Sequence, residues 1–196
     1  MKKTILGSHN SWSFLPPRHW WQKPFGFMAK CQDLNIQQQY EAGVRCFDLR
    51  IRFNEGDTSP IVCHGKIEYD ISPEELYSNL RWLNGKKNVY IRVIHEARTN
   101  SQYSAYSKTF FRMFCDDVTT KLKNIKFWCG RSLYNWKNPD YEFKYSPSCK
   151  EKYSSVCAPK WIDDWIPRFY AKYHNPFNLR KEYDEDILLI DFVNYK

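Results

Sequence analysis

No stretch of the chain approaches the roughly 18 consecutive apolar residues that a membrane-spanning helix requires. The early apolar run behind Lys2 and Lys3 breaks at once at Gly7-Ser8-His9, so a secretory signal peptide is not expected and a cytoplasmic protein is. No two of the seven cysteines (Cys31, Cys46, Cys63, Cys115, Cys129, Cys149 and Cys157) have C-x-x-C spacing, which leaves neither a zinc ribbon nor thioredoxin chemistry. Most of them read as small buried apolar residues. Cys149 and Cys157 share a loop rich in Ser, Lys and Pro; with no export signal they are expected to be reduced rather than bridged. There is no repeat, no low-complexity tract and no nucleic-acid-binding motif or basic cluster beyond scattered Lys and Arg.

What is present describes one globular domain spanning residues 1–196. At 42% hydrophobic residues, with eight Trp, the chain can bury a sizeable core, and its 27% charged fraction is too well mixed for a disordered tail. Thirty Lys and Arg against 22 Asp and Glu give a net charge of +8. That balance suits an anionic partner: nucleic acid, an acidic lipid surface or a phosphorylated small molecule.

Strand and helix signals alternate along the sequence. Lys3-Thr4-Ile5-Leu6 before Gly7 suits a buried strand opening into a loop. Gln37 to Ala42, before the stop signal Gly43, is expected to be a short helix. Val44 to Phe53 alternates Val44, Cys46, Asp48 and Arg50 with Arg45, Phe47, Leu49 and Ile51, placing Asp48 and Arg50 side by side on one face of a strand. Ile61-Val62-Cys63 is a further short strand. Ser72-Pro73-Glu74-Glu75 is a capping box with proline in the first helical position, predicting a helix from Pro73 to Asn84 that stops at Gly85. A strand over Val89–Ile94, a helix over Ser104–Lys123 and a strand over Ile125–Cys129 follow, then a long loop from Gly130 to Pro159. A helix over Trp161–Lys172 and a final buried strand over Ile187–Val193, carrying Asp191, complete the pattern. Such alternation predicts an α/β fold with a parallel sheet. A full eight-fold barrel usually needs about 250 residues, so a compact, distorted TIM-type barrel with fewer or shorter outer helices is expected.

Polar residues then fall at predicted strand ends: His9 after the first, Asp48 and Arg50 on the second, His64 after the third. In a parallel barrel such ends share one mouth. Two imidazoles facing each other across an anion, with an Arg between them, are the apparatus of phosphoryl transfer without a metal. One imidazole takes the proton of an attacking hydroxyl and the other gives one to the leaving oxygen, while the guanidinium holds the phosphate. A carboxylate behind the base fixes its tautomer, and Asp191 is the candidate.

Leu6-Gly7-Ser8-His9-Asn10-Ser11, Gln32, Gln38 to Gly43, Gly43-Val44-Arg45-Cys46-Phe47-Asp48-Leu49-Arg50 and Ile61-Val62-Cys63-His64-Gly65 together resemble the X domain of phosphatidylinositol-specific phospholipase C. The likeness covers Ile5 to about Glu96 and resumes at Leu188-Leu189-Ile190-Asp191-Phe192; residues between Thr99 and Asp186 do not align. It implies a distorted TIM barrel cleaving the glycerol–phosphate bond of an inositol phospholipid by attack of the inositol 2-hydroxyl. His9 would then be the general base, His64 the general acid and Arg50 the phosphate-stabilising cation, with Asp191 orienting His9 and Asp48 beside Arg50. Where bacterial members have Asp after the first His, this chain has Asn10, which keeps a role in orienting the phosphate. Where calcium-dependent eukaryotic members have an acidic ligand, it has Arg50, so a metal-independent reaction without cofactor is expected. Bacterial members hold inositol hydroxyls with a Lys at the place of Ile94; here Arg92, Glu96 and Arg131 are the candidates for that contact. Trp20 and Trp21 correspond to a rim helix that touches anionic membranes. A monomer and no nucleic-acid partner are expected. Two alternatives stay open: a phosphodiesterase acting on another cyclisable nucleotide or sugar phosphodiester, and a noncatalytic lipid-binding domain.

Overall fold

The parallel sheet is built from β1 (Ile5–Ser8), β2 (Cys46–Arg52), β5 (Val89–His95), β6 (Ile125–Arg131), β7 (Tyr153–Val156) and β8 (Ile187–Ile190), hydrogen-bonded in the order β6-β5-β2-β1-β8-β7. A hairpin of β3 (Ile61–His64) and β4 (Ile67–Glu68) joins it antiparallel to the end of β2. The helices are α1 (Gly26–Ala29), α2 (Ile36–Glu41), α3 (Pro73–Asn84), α4 (Ala105–Lys121) and α5 (Pro167–Asn178), with a 3-10 turn over Trp20–Phe25. This computed structural model describes residues 4–96, 104–131, 153–156, 167–181 and 186–195.

Strand periodicity sorts the side chains into two sets. Phe47, Leu49, Ile51, Ile91, Val93, Leu188 and Ile190 join one large core with Leu76, Leu80 and Leu83 of α3 and Phe111, Phe114 and Val118 of α4. Each leucine so removed from water contributes about 1.5–3 kcal/mol. The residues between them form a smaller cluster inside the curved sheet: Ile5, Cys46, Tyr90, Ile187 and Leu189. Gly7 belongs to this interior, and a Cβ there would stand 2.5 Å from Leu189 Cδ2 and 3.2 Å from Cys46 Cβ. The missing side chain is what lets β1 and β8 close over each other. Two residues further on, the same inward positions become polar, with His9 after Gly7, Asp48 and Arg50 after Cys46, Arg92 after Tyr90 and Asp191 after Leu189. An apolar floor therefore carries a polar mouth. Among the described residues β6 and β7 are not paired with each other, so the barrel is distorted and open, in keeping with the trimmed barrel expected from the length.

The local signals mostly translate into elements. Ser72 accepts from the Glu75 N–H and Pro73 opens α3, which ends at Gly85 as predicted. The short helix runs Ile36–Glu41, one residue earlier than expected, because Asn35 and Gln38 form a reciprocal capping box. Cys31, Cys46, Cys63 and Cys115 are all buried thiols outside any disulfide. Four expectations need correction. β3 is antiparallel to β2, not a parallel barrel strand, because the connection from Arg52 to Ile61 is a short hairpin-type loop rather than a crossover. The final strand stops at Ile190, so Asp191 sits just beyond it, and the chain turns at Phe192 with φ of 44°. The fourth helix signal lies further on, at Pro167–Asn178, with Pro176 close to its end; residues 161–166 lie outside the described set. β7 occupies part of the segment expected to be loop. The Cys149 and Cys157 question, and a second aromatic rim around Tyr134-Asn135-Trp136, also lie outside the described residues.

Candidate functional site

His9 and Asp191 leave the parallel neighbours β1 and β8, whose register pairs Ser8 with Ile190, so the two side chains emerge together. Gln32 fixes this junction by donating from Nε2 to the carbonyls of His9 and Ile190, both at 3.0 Å, and accepting from the Val193 N–H. Left-handed backbone at Asn10 and Phe192 turns the chain away immediately after each of these residues. For the bulky Phe192 that conformation is unusual, and strain of this kind concentrates where a neighbouring group must be held in place. His9 Nδ1 lies 2.7 Å from Asp191 Oδ1 and its Nε2 2.7 Å from Arg50 Nη2. A guanidinium can only donate, so Nε2 accepts, Nδ1 carries the proton, and that N–H donates to Asp191. Asp191 thus orients the ring from one side, and an arginine caps its other nitrogen.

Arg50 is the hub. Its Nε donates to Asp48 Oδ2 at 2.9 Å, and its Nη1 lies 3.5 Å from Glu96 Oε2. Asp48 Oδ1 faces Arg92 at 3.5 Å, its Oδ2 accepts the Asn10 N–H at 3.0 Å, and β2 and β5 hold Asp48 and Arg92 in register. Burial alone would raise the Asp48 carboxyl, but the charges of Arg50 and Arg92 and the Asn10 N–H outweigh it and hold the acid well below its ordinary value. For Arg50 burial works against the charge, and Asp48 and Glu96 more than offset it. The guanidinium is therefore permanently charged at neutral pH.

His64 reaches this cluster because of the hairpin. β5 occupies one edge of β2 through Ile51, and β1 pairs with the other only at Cys46 and Phe47. β3 takes over that vacated edge at Ile51 and Arg52 and runs back toward β1, bringing His64 over His9. The two imidazoles meet edge to face, with ring centroids 5.7 Å apart. His64 Nδ1 donates to the Ala29 carbonyl at 3.1 Å, which leaves Nε2 as its exchangeable position. Burial first, and the positive charge of Arg50 second, push this imidazole down to about 3, against the opposing pull of Glu96. The ring is therefore neutral at pH 7.

Every sequence-derived site residue whose side chain is described, apart from the rim tryptophans, is drawn into this network. Glu96 Oε1 accepts the Gly65 N–H at 3.0 Å and so ties Arg50 to the His64 turn. Asn10 gives its side-chain amide to the Tyr69 hydroxyl at 3.3 Å. Arg92 is engaged with Asp48. Arg131 ends β6 in register with His95, and its side chain lies outside the described set. Trp20 and Trp21 are 76% and 53% exposed on the 3-10 turn, in a cluster with Phe25, Phe27 and Met28 rather than in the core. That cluster is anchored to the site at Ala29, whose carbonyl accepts from both His64 and Tyr69. Trp21 also stacks on His19 at 4.4 Å, and His19 donates to Glu68, the partner of Arg52, which in turn donates to the Gly65 carbonyl.

Tyr69 and Cys31 were not singled out from the sequence as site groups, since a contact to a backbone carbonyl leaves no motif. Among the described residues one group of ligand-type side chains lies close enough to share an ion: His9, Cys31 and Asp191, all buried, with ligand atoms within 4.8 Å of one another. Among the described residues the carboxylates nearest Arg50, Asp48 and Glu96, are not part of a group placed to share an ion.

No protein-family model matches the chain. No curated protein matches it either. Among solved structures it superposes on a point mutant of the phosphatidylinositol-specific phospholipase C from Staphylococcus aureus with a TM-score of 0.67 at 15% identity, covering 100% of this chain and 87% of that one. The phosphatidylinositol-specific phospholipase C from Listeria monocytogenes matches with a TM-score of 0.63 at 15% identity, covering 97% and 88%. A further S. aureus structure, concerned with modulation of that enzyme's membrane binding, matches with a TM-score of 0.60 at 11% identity, covering 100% and 87%. The chain has the fold of the bacterial phosphatidylinositol-specific phospholipases C, a distorted TIM-type barrel.

Proposed function

We propose that the protein cleaves an inositol phospholipid by intramolecular attack of the inositol 2-hydroxyl on phosphorus, releasing diacylglycerol and a cyclic inositol phosphate. The observation that carries this reading is the contact of Arg50 Nη2 with His9 Nε2, with His64 facing His9 edge to face. A phosphodiester anion arriving between the imidazoles attracts the guanidinium onto its non-bridging oxygens. Arg50 thereby uncaps Nε2 of His9, which takes the proton of the 2-hydroxyl as the new P–O bond forms. Asp191 steadies the imidazolium that results. His64 Nε2 gives a proton to the glycerol oxygen as the old P–O bond breaks, and the bound anion offsets the burial and the Arg50 charge that otherwise keep His64 neutral. Arg50 replaces the charge that a metal would supply, so the reaction proceeds in chelator and takes no cofactor.

The exposed Trp20, Trp21, Phe25 and Phe27, on a chain of net charge +8, fit peripheral contact with an anionic membrane that presents the headgroup to the mouth. Arg92 and Glu96 then flank the headgroup. A specific observation keeps the second reading alive: Ile94, inward-facing next to Arg92 and 1% exposed, offers no hydroxyl contact, which suits a cyclisable phosphodiester other than plain inositol phosphate. Replacing His9 or His64 by Ala, with folding checked by circular dichroism, tests the machinery directly. Loss of turnover in both is expected, and full activity of His64→Ala on a natural lipid overturns the two-histidine mechanism.

A further inference from the structure

We propose that the buried cluster of His9, Cys31 and Asp191 behind the candidate base is a binding site for a soft divalent metal ion such as Zn²⁺, and that its occupancy switches the enzyme off. The donors are one nitrogen of His9, the Cys31 sulfur and a carboxylate oxygen of Asp191, which lie within 4.8 Å of one another and come from three separate parts of the chain. They are fixed as a set. The Cys31 N–H donates to Ser13 Oγ at 2.9 Å, its carbonyl accepts the Phe192 N–H, and Asn175 donates to the Asp191 carbonyl at 2.7 Å. Cys31 is thus pinned beside Asp191, and small rotations of buried side chains bring the donors to the roughly 3–4 Å separations of a zinc tetrahedron. His64 Nδ1, 3.9 Å from the Cys31 sulfur, and the Ala29 carbonyl stand next to a fourth position.

Thiolate, imidazole and carboxylate together select zinc-like ions and discriminate against Mg²⁺ and Ca²⁺, which require oxygen cages. Binding replaces the proton between His9 Nδ1 and Asp191 with the metal, while the Cys31 proton leaves to solvent. The displaced His9 proton moves to Nε2, where it meets the Arg50 N–H at the position that must accept the substrate's proton. Base and arginine are disabled together. The metal site stands on geometry alone; the inhibition rests on the proposed function.

The two are separable by experiment. Co²⁺ is titrated into the purified, metal-free full chain and into Cys31→Ser, Asp191→Asn and Cys63→Ser, the last a control for a buried thiol outside the site, with circular dichroism confirming the fold. The expected result is one equivalent bound with a sulfur-to-cobalt charge-transfer band, displaced by Zn²⁺, retained in Cys63→Ser and lost in Cys31→Ser. Affinity in Asp191→Asn falls about tenfold or more. Absence of the band in the unaltered chain, or its persistence in Cys31→Ser, overturns the site. Separately, Zn²⁺ should suppress turnover reversibly with chelator, and inhibition of Cys31→Ser relative to its own metal-free rate should need about a hundredfold more Zn²⁺. If cobalt binds as described but turnover is undiminished at saturation, the site stands and its inhibitory role falls.

Discussion

The Arg50 guanidinium donates to the basic nitrogen of His9 at 2.7 Å while its other side holds Asp48 at 2.9 Å, so the residue that would receive the phosphate also guards the base until substrate arrives. Arg50→Lys keeps the charge but loses the fork, and kcat/KM on phosphatidylinositol vesicles is expected to fall about 10²- to 10³-fold with the fold preserved. A Lys variant within a few-fold of the original would show that the two-sided contact has no catalytic role.

The two histidines should respond differently to the leaving group. An acid catalyst matters least when the departing oxygen is already a good leaving group, whereas the base is needed whatever departs. With a nitrophenyl ester of inositol phosphate, His64→Ala should recover most of its activity and His9→Ala should not. Equal loss in both variants on both substrates would contradict the assignment of His64 as acid.

Asp48 links the site to acid stability. Its folded-state carboxyl lies below the ordinary value of about 3.9, so it stabilises the fold fully above that pH, and the contribution is lost as pH falls further. Unfolding of the native chain by urea should therefore show stability dropping steeply below about pH 4. Asp48→Asn leaves Arg50 and Arg92 facing no carboxylate there and should cost about 3–5 kcal/mol at pH 7, with a flatter acid limb. An unchanged acid limb would place the pH dependence elsewhere.

Several of these relationships were legible in the amino-acid sequence. The alternation from Val44 to Phe53 put Asp48 beside Arg50, the Ser72 cap and Pro73 marked the start of α3, and strand ends marked His9 and His64. The direction of β3 was not legible, since three apolar residues carry no information about which neighbour they pair with; His64 reaches His9 by a hairpin, not by a parallel crossover. The Ala29 carbonyl, Tyr69 and Cys31 were hidden because their contacts depend on where the Trp20–Phe25 turn and α1 fold back, and backbone acceptors look alike in any sequence.

Gly7 is where the fold bears on the site. An alanine Cβ would meet Leu189 at 2.5 Å, and displacing Leu189 shifts Asp191 two residues on. Gly7→Ala should destabilise by about 1–3 kcal/mol in thermal unfolding and lower kcat more than it raises KM. A neutral effect on both would remove Gly7 from the account.

Trp20→Ala and Trp21→Ala combined should weaken sedimentation with anionic vesicles by about tenfold or more, since two exposed rings leave the interface. Turnover of a soluble, monomeric inositol phosphodiester should stay within about twofold, because neither ring reaches the reacting atoms. Undiminished vesicle binding would argue that the aromatic cluster faces something other than lipid.

The most direct test of the central claim is ³¹P NMR of phosphatidylinositol vesicles incubated with the purified protein in excess chelator. The account predicts a water-soluble cyclic inositol phosphate, formed without metal and absent with His9→Ala. No soluble phosphorus product, with none restored by added Ca²⁺, would contradict it and point to another cyclisable phosphodiester or to a lipid-binding role without catalysis.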